Sequence, residues 1–101
     1  MPSRPETVAR ISEQLADAGA IRTRKMFGEY GLYCDEVFCA QINEDELFIK
    51  RTNAGEALDL GLELAEPYKG AKLAFHVPSA RLEHPKPICD LLKVTVDALS
   101  S

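Results

Sequence analysis

The sequence predicts an α+β domain: an antiparallel sheet of about five strands with the N- and C-terminal helices packed on one side, in the order α-β-β-β-β-α-β-α. Apolar residues recur at helical spacing near both ends of the 101-residue chain. Between Lys25 and Thr52, short apolar runs are separated by tight polar breaks, which is typical of an antiparallel meander. No linker, repeat or low-complexity tract divides the chain, so residues 1–101 are predicted to form a single domain.

The first predicted element is a helix near the N-terminus. Ser3 and Glu6 have the spacing of a capping box, and Pro5 suits the first helical turn. Gly19 is a natural stop for the C-terminal end of this helix. Because a helix of this length is marginal alone, it needs the sheet to cover its apolar stripe. That stripe consists of Val8, Ile11, Leu15 and Ala18.

Four strands are predicted to follow, at residues 21–27, 32–34, 37–42 and 47–49. The breaks between them are predicted at residues 28–31, 35–36 and 43–45, where glycine and acidic residues interrupt the apolar runs. In the third strand, alternation predicts one face formed by Phe38, Ala40 and Ile42. The other face of that strand would carry Val37, Cys39 and Gln41.

The second half is predicted to contain a short helix, a last strand and a C-terminal helix. Thr52 or Asn53 is the expected cap of the short helix, which would run through Leu60, with Glu56 completing a capping box from Asn53. Residues 61–70 are predicted as a connector, 73–77 as a strand and 82–87 as a loop. Pro87 suits the first turn of the final helix. The stripe of that helix is Ile88, Leu91, Leu92, Thr95, Val96 and Leu99.

Composition indicates the class of protein. The apolar runs are far shorter than the roughly 18 residues that a membrane span requires, and charged residues make up 28% of the chain. The first 19 residues lack the apolar centre of a signal peptide, so we expect a cytoplasmic protein without a membrane role. The odd set of Cys34, Cys39 and Cys89 predicts reduced thiols, and no CxxC or HxxxH spacing indicates a metal site.

The charged residues predict a surface for a partner. The net charge of −4 disfavours autonomous tight DNA binding, because the molecule as a whole repels a polyanion. If the strands pair as predicted, two basic groups that flank the meander would lie on one edge or face of the sheet. These candidate partner contacts are Arg22, Arg24, Lys25, Lys50 and Arg51. Edge strands are also natural places for self-pairing, so a homodimer is a further expectation.

The amino-acid sequence of the meander is similar to that of one known family. The run Met26-Phe27-Gly28-Glu29-Tyr30-Gly31-Leu32-Tyr33, followed by Val37-Phe38-Cys39-Ala40 and Leu47-Phe48-Ile49-Lys50, resembles the N-terminal domain of TfoX/Sxy competence regulators. The resemblance extends to Tyr68, Phe75, Val77-Pro78 and Leu82 and so covers essentially the whole chain.

The resemblance implies a regulatory module. TfoX-like regulators act in bacterial natural transformation as coactivators that work with the cyclic-AMP receptor protein. By this resemblance we expect a non-enzymatic protein-interaction domain whose partner is a protein such as a transcription factor, with weak or no direct DNA binding. No catalytic residue, metal or cofactor is implied. Full-length members carry a second, C-terminal domain, which we expect to be absent here, because the sequence ends at Ser101.

The sequence departs from the family pattern at two places. Asp35-Glu36 stands where the family often has Asp-Gly, and Glu36 in a left-handed conformation would cost on the order of 1 kcal/mol. His76 stands where an aromatic residue is expected, and a satisfied structural role is the simplest interpretation of it.

Two alternative functions remain open from the sequence. A small enzyme or ligand-binding protein would use a cysteine and a histidine, with Cys39 and His76 as the foremost pair and Cys34, Cys89 and His84 as further members. A direct nucleic-acid binder would stack a single-stranded base on Tyr30 or Tyr33. Five further side chains are assigned mainly to packing: Met26, Phe27, Tyr33, Phe38 and Phe48.

Overall fold

In the computed structural model, which describes residues 2–100, three α-helices and six strands follow one another as α1-β1-β2-β3-β4-α2-β5-β6-α3. The helices are α1 (Pro5–Gln14), α2 (Asn53–Ala57) and α3 (Lys86–Ser100). The strands are β1 (Ile21–Met26), β2 (Glu29–Cys34), β3 (Val37–Asn43), β4 (Glu46–Lys50), β5 (Leu64–Ala65) and β6 (Ala74–Val77). Two 3₁₀ turns, Ala16–Ala18 and Ser79–Glu83, complete the described secondary structure.

The strands form one antiparallel sheet in the spatial order β1-β2-β3-β4-β6-β5. The predicted α+β class, with its antiparallel sheet and terminal helices, is therefore confirmed. The sheet has six strands rather than about five, because β5 forms within the segment that was predicted as a connector. A strand of two residues is too short to show the alternating pattern by which strands are recognised in a sequence. No helix within residues 2–100 is long and apolar enough to cross a membrane.

The helices cover one face of the sheet, which we call the inner face. Side chains of α1 and α3 join the buried core cluster together with inward-pointing residues of β2, β3, β4 and β6. Directly paired residues of antiparallel strands share a face, so the register defines both faces. Inner-face residues include Leu32, Cys34, Ala40, Ile42, Leu47, Ile49, Phe75 and Val77. The outer face carries Arg22, Arg24, Met26, Gly31, Tyr33, Phe38, Gln41, Phe48, Lys50 and His76.

A β-bulge corrects the predicted faces of β3. Ala40 lies opposite Leu32, but Phe38 lies opposite Tyr33, so Cys39 is an extra residue on β3. Phe38 consequently lies on the outer face, whereas Ala40 lies on the inner face. The prediction that Phe38, Ala40 and Ile42 share a face is wrong for Phe38, because simple alternation assumes a strand without bulges.

Three two-residue hairpins connect β1 to β4. The turn pairs are Phe27-Gly28, Asp35-Glu36 and Glu44-Asp45, and all six residues have positive φ, as in type I′ turns. The first turn is therefore earlier and tighter than the predicted 28–31 break, and Glu29 to Gly31 belong to β2. Glu36 has φ of 67°, so the second hairpin adopts the strained form that its sequence implied.

The N-terminus of α1 is held by the third hairpin rather than by a local capping box. The N-cap residue is Arg4, and no side-chain cap of the predicted Ser3–Glu6 type forms. Asp45 Oδ1 instead accepts a hydrogen bond from the Arg4 amide at 2.8 Å, and the Asp45 amide donates to Ser3 Oγ at 2.9 Å. The capping-box prediction was wrong because a residue 41 positions away supplies the acceptor. The α-helix also ends at Gln14, and a 3₁₀ turn continues the chain to Gly19.

The short central helix is anchored tightly to the core. Thr52 is its N-cap, with Oγ1 accepting from the Gly55 amide at 3.0 Å, so the first of the two predicted caps is the one that forms. The helix ends at Ala57, earlier than predicted. A Cβ on Gly55 would lie 2.9 Å from Phe75 Cε2 and 3.0 Å from Leu91 Cδ1, so only glycine allows this close approach. Further along, residues 79–83 of the region after β6 form a 3₁₀ turn, and Pro87 lies in the first turn of α3 as predicted.

Candidate functional site

A row of alternating cations and aromatic rings crosses the outer face from β1 to β4. The guanidinium carbon of Arg22 lies 4.3 Å from the centre of the Tyr33 ring. The centres of the Tyr33 and Phe38 rings are 5.3 Å apart, and Lys50 Nζ lies 4.3 Å from the centre of the Phe38 ring. We call these four residues the outer-face row. Each contact is of the cation–π or tilted aromatic type, so the row holds two positive charges at fixed positions on an open sheet.

The bulge in β3 is what aligns this row. Since Cys39 is the extra residue, the side chain of Phe38 turns outward to meet Tyr33 instead of continuing the inner alternation. Gly31 makes room beside it, because a Cβ there would lie 2.9 Å from Phe38 Cε1 and 2.6 Å from Met26 Sδ. The second glycine of the MFGEYGLY run therefore serves the packing of the outer face rather than a turn.

A groove of about 870 Å³ lies beside the row. Its floor contains Gly31, Phe38 and Gln41, and its two sides are the β1–β2 hairpin and the loop around Tyr68. The amide of Asn43 fixes that loop by donating from Nδ2 to the Pro67 carbonyl at 2.9 Å. We call this cavity the outer groove. Its lining is Met26, Phe27, Glu29, Tyr30, Gly31, Phe38, Gln41, Asn43, Glu44, Pro67, Tyr68 and Lys69.

Two aromatic side chains stand in solvent at the rim of the outer groove. Phe27 is fully exposed and Tyr68 is 59% exposed. Phe27 also occupies a left-handed turn position, with φ of 50°, where glycine or asparagine is preferred. The assignment of Phe27 mainly to packing was wrong, because the tight turn places its side chain in solvent at the hairpin tip. An exposed aromatic residue in a strained turn gains nothing in packing, and this combination is typical of a contact residue.

The five predicted partner-contact residues divide into two groups. Arg22, Arg24 and Lys50 lie on the outer face, so the structure brings members of both basic groups onto one side of the sheet. Lys25 lies on the inner side of the edge strand and is exposed. Arg51 follows β4, and its Nε lies 3.2 Å from Glu56 Oε1.

Acidic residues modulate the charge of this surface. Arg22 Nε also pairs with Glu36 Oε2 at 2.9 Å, at one end of the outer-face row. The Glu29 carboxylate is occupied by backbone donors, since it accepts from the amides of Ser3 at 3.0 Å and Glu44 at 2.8 Å. These two contacts tie the N-terminal segment and the third hairpin to the β1–β2 hairpin.

The structure does not bring together Cys39 and His76, the foremost pair of the cysteine–histidine alternative. Cys39 is completely buried in the core, and burial raises the pKa of its thiol to about 12, so the reactive thiolate is suppressed. His76 lies on the outer face, where its Nε2 is 2.5 Å from Glu46 Oε1 and its ring packs on Phe48. The two residues point to opposite sides of the sheet and form no catalytic pair.

The remaining thiols share the environment of Cys39. Burial is the main cause that raises the pKa of both Cys34 and Cys89. All three cysteines are unpaired and buried, as the sequence predicted for reduced thiols. Within residues 2–100, no group of three or more histidine, cysteine or acidic side chains is arranged to hold a metal ion.

In the base-stacking alternative, both tyrosines are engaged in packing contacts. Tyr30 pairs with Ile42 and packs against the core cluster, so it is only partly exposed where it lines the outer groove. Tyr33 is on the outer face, but Arg22 lies across one side of its ring. The exposed aromatic residues are Phe27 and Tyr68, neither of which the sequence had indicated as a contact.

Two comparisons with known proteins agree with the fold and the motif. The family model of the TfoX N-terminal domain matches residues 13–99. An uncharacterized 12.7 kDa protein in the trpE 5′ region of Spirochaeta aurantia is 34% identical over 91 residues, which make up 90% of this chain and 78% of that protein.

Proposed function

This chain belongs to the TfoX N-terminal domain family, and we propose that it works there as a non-enzymatic protein-interaction module with a regulatory role. The family is associated with competence regulation. A transcription factor in the cytoplasm is the partner class that this association suggests. The proposed contact surface is the outer face of the sheet, centred on the outer-face row and the outer groove.

The observation that supports this proposal most strongly is the contrast between the covered and the open side of one sheet. The helices bury the inner face completely at Leu32, Ala40 and Ile49, while Phe27 and Tyr68 remain in solvent on the other side. Protein interfaces are enriched in aromatic residues and arginine, and their contact centres combine both. The outer face offers this composition on a rigid sheet.

A protein fits this surface better than a nucleic acid does. The net charge of −4 repels a polyanion, and one cation of the row, Arg22, is paired with Glu36. The groove also carries Glu44 and the amide groups of Gln41 and Asn43, which suit mixed polar and apolar contacts. We therefore propose weak or no direct DNA binding.

The non-enzymatic part of the proposal rests on what lines the groove. Among the groove residues there is no cysteine, serine or histidine, and the buried thiols lie on the inner side of the sheet. The side chains around Phe38 and Gln41 make packing and hydrogen-bonding contacts. They do not form a pair of nucleophile and base.

A capture experiment tests this function. Tagged wild-type chain is incubated with lysate of the organism that encodes it, beside an Arg22→Glu/Lys50→Glu variant, and bound proteins are identified by mass spectrometry. A Lys86→Glu/Lys93→Glu variant on α3 is the control, because it changes the net charge equally at exposed positions away from the outer face. Circular dichroism and thermal unfolding establish that all three chains are folded.

The proposal predicts a transcription regulator that the wild type and the α3 control retain and the outer-face variant loses. Capture of the same partner by all three chains would show that the outer face is not the contact surface. A folded wild type that retains no protein, but turns over a small molecule, would overturn the interaction module itself.

A further inference from the structure

The strand β1 forms an open edge of the sheet. Within the described residues it pairs only with β2, and it is six residues long. The opposite edge is β5, which has only two residues. An edge strand of this length presents unpaired peptide groups along its outer side, and these can pair with another extended chain.

The hairpin register shows which peptide groups of β1 point outward. The Asp35 amide donates to the Ala20 carbonyl at 2.9 Å, just before the ladder begins. Residues of an antiparallel pair alternate between bonded and non-bonded positions, so Arg22 and Arg24, like Ala20, direct their peptide groups to β2. The N–H and C=O groups of Ile21, Thr23 and Lys25 therefore point away from the sheet.

The charges of β1 select what can pair with it. Its sequence, IRTRKM, contains three cations and no acidic residue, and of these cations Arg22 is already paired with Glu36 of the second hairpin. An antiparallel pairing of two copies centred on Thr23 would set Arg22 opposite Arg24 twice, and like charges directly opposite are destabilising. In that register a second copy of the chain is a poor partner, whereas a strand with carboxylates at alternate positions is complementary.

We propose that β1 recruits an extended acidic segment of the partner protein as a seventh strand of the sheet. This inference rests on the proposed interaction function and specifies how the partner is held. The segment's carboxylates would lie beside Arg22 and Arg24 on the outer face, next to the outer-face row. Its intervening apolar side chains would lie on the inner side beside Ile21 and Thr23, both of which are half-buried.

A synthetic peptide provides the probe. A capped peptide of five Glu-Val repeats is added to isotope-labelled chain, and amide hydrogen exchange is followed by NMR. The expected result is that exchange slows by about tenfold or more at Ile21, Thr23 and Lys25, whose N–H groups gain acceptors. The amides of Arg22 and Arg24 are protected from the start. A peptide of five Lys-Val repeats is the charge control and should not bind.

A proline substitution tests the same hydrogen bonds by removing one donor. Thr23→Pro deletes an outward N–H and leaves the ladder to β2 intact, which an edge strand tolerates. Binding of the Glu-Val peptide should weaken by about tenfold. Thr23→Val is the matched control and should bind as the wild type does. If Thr23→Pro does not fold, Arg24→Glu replaces it and should abolish binding through charge.

Several outcomes would overturn strand addition. They are no Glu-Val binding up to about 1 mM peptide, binding without protection of Ile21, Thr23 and Lys25, or equal binding of the Lys-Val peptide. Protection by a single-stranded DNA 12-mer but not by the acidic peptide would identify β1 as a nucleic-acid edge instead. Concentration-dependent protection in the chain alone would identify a homodimer.

The two proposals fail in different ways. If lysate capture is retained by Thr23→Pro and no β1 amide is protected, strand addition is wrong while the interaction module stands. If the acidic peptide protects β1 but no regulator is captured from lysate, the edge binds acidic strands and the proposed regulatory function is wrong.

Discussion

The two faces of the sheet are formed by the same strands but are stabilised in different ways. On the inner face, Leu32, Ala40 and Ile42 are fully buried under α1 and α3. On the outer face, one residue along from Leu32, Tyr33 remains half-buried between Arg22 and Phe38. The inner face is closed by helices, while the outer face is organised by contacts between its own side chains.

Aromatic content alone does not show which face of the sheet forms the core. Register places Phe38 and Phe48 on the outer face, where Phe38 is half-buried and Phe48 is buried. The helices pack against the inner face and complete the core cluster there. What remains on the other face is held by cation–π and aromatic contacts, which contribute less to stability than burial does. Substitutions on the two faces should therefore have different consequences.

The largest expected effect separates Leu32 from Tyr33, which are consecutive residues on opposite faces of β2. Leu32→Ala removes a fully buried side chain and should lower the free energy of unfolding by about 3 kcal/mol. Tyr33→Ala removes contacts with Arg22 and Phe38 and should cost about 1 kcal/mol. Urea unfolding measures both values. Equal costs would show that the outer face is as much a part of the core as the inner face.

A second contrast uses two glycines. Gly55→Ala forces a methyl group against Phe75 and Leu91 in the core and should cost about 1–2 kcal/mol, even though alanine favours the helix. Gly31→Ala meets Met26 and Phe38, which can move outward into the groove, so its cost should stay below about 1 kcal/mol. Thermal unfolding compares them. The reverse order would mean that the outer groove is more tightly packed than the α2 contact.

A third effect concerns the junction that attaches α1 to the sheet. The Arg4 amide, followed by the Thr7 hydroxyl, lowers the pKa of Asp45 below its usual 3.8. A carboxyl whose folded pKa is depressed contributes stability that is present above its unfolded pKa and is lost as pH falls through the folded value. Wild-type stability should therefore decrease as pH drops below about 4.

The variant Asp45→Asn should lack this part of the acid dependence. Unfolding free energies measured from neutral pH down to about pH 3 give the slope, with Asp17→Asn as the control for a carboxylate at an exposed position. If Asp45→Asn and wild type lose stability in parallel between these pH values, the third hairpin does not hold α1 as described.

The elements that were predicted from sequence are those with a strong local signal. Helical stripes such as Val8, Ile11 and Leu15, and the polar breaks at 35–36 and 43–45, determined the class and most of the strands. The family resemblance came from the same meander. The cap of α1 was missed because its acceptor, Asp45, is supplied by a distant hairpin. The face of Phe38 was missed because the bulge at Cys39 interrupts alternation.

The candidate site was predicted only in part, for a related reason. Charge clustering located Arg22, Arg24 and Lys50, which share the outer face. The rim residues Phe27 and Tyr68 were not recognised, because exposure of an aromatic side chain depends on turn geometry and on loop placement. The pairing of Cys39 with His76 was wrong for the same reason, since the two residues are on opposite sides of the sheet. Sequence spacing does not report which side a residue faces once a bulge intervenes.

Phe27 provides the most direct test of the central claim that the outer face exists for binding rather than for packing. Phe27→Asn replaces an exposed aromatic residue at a left-handed turn position by one that prefers it. The account predicts a gain of about 0.5–1 kcal/mol in unfolding free energy together with a loss of partner capture. Capture that is undiminished in this folded variant, or a clear loss of stability, would contradict it.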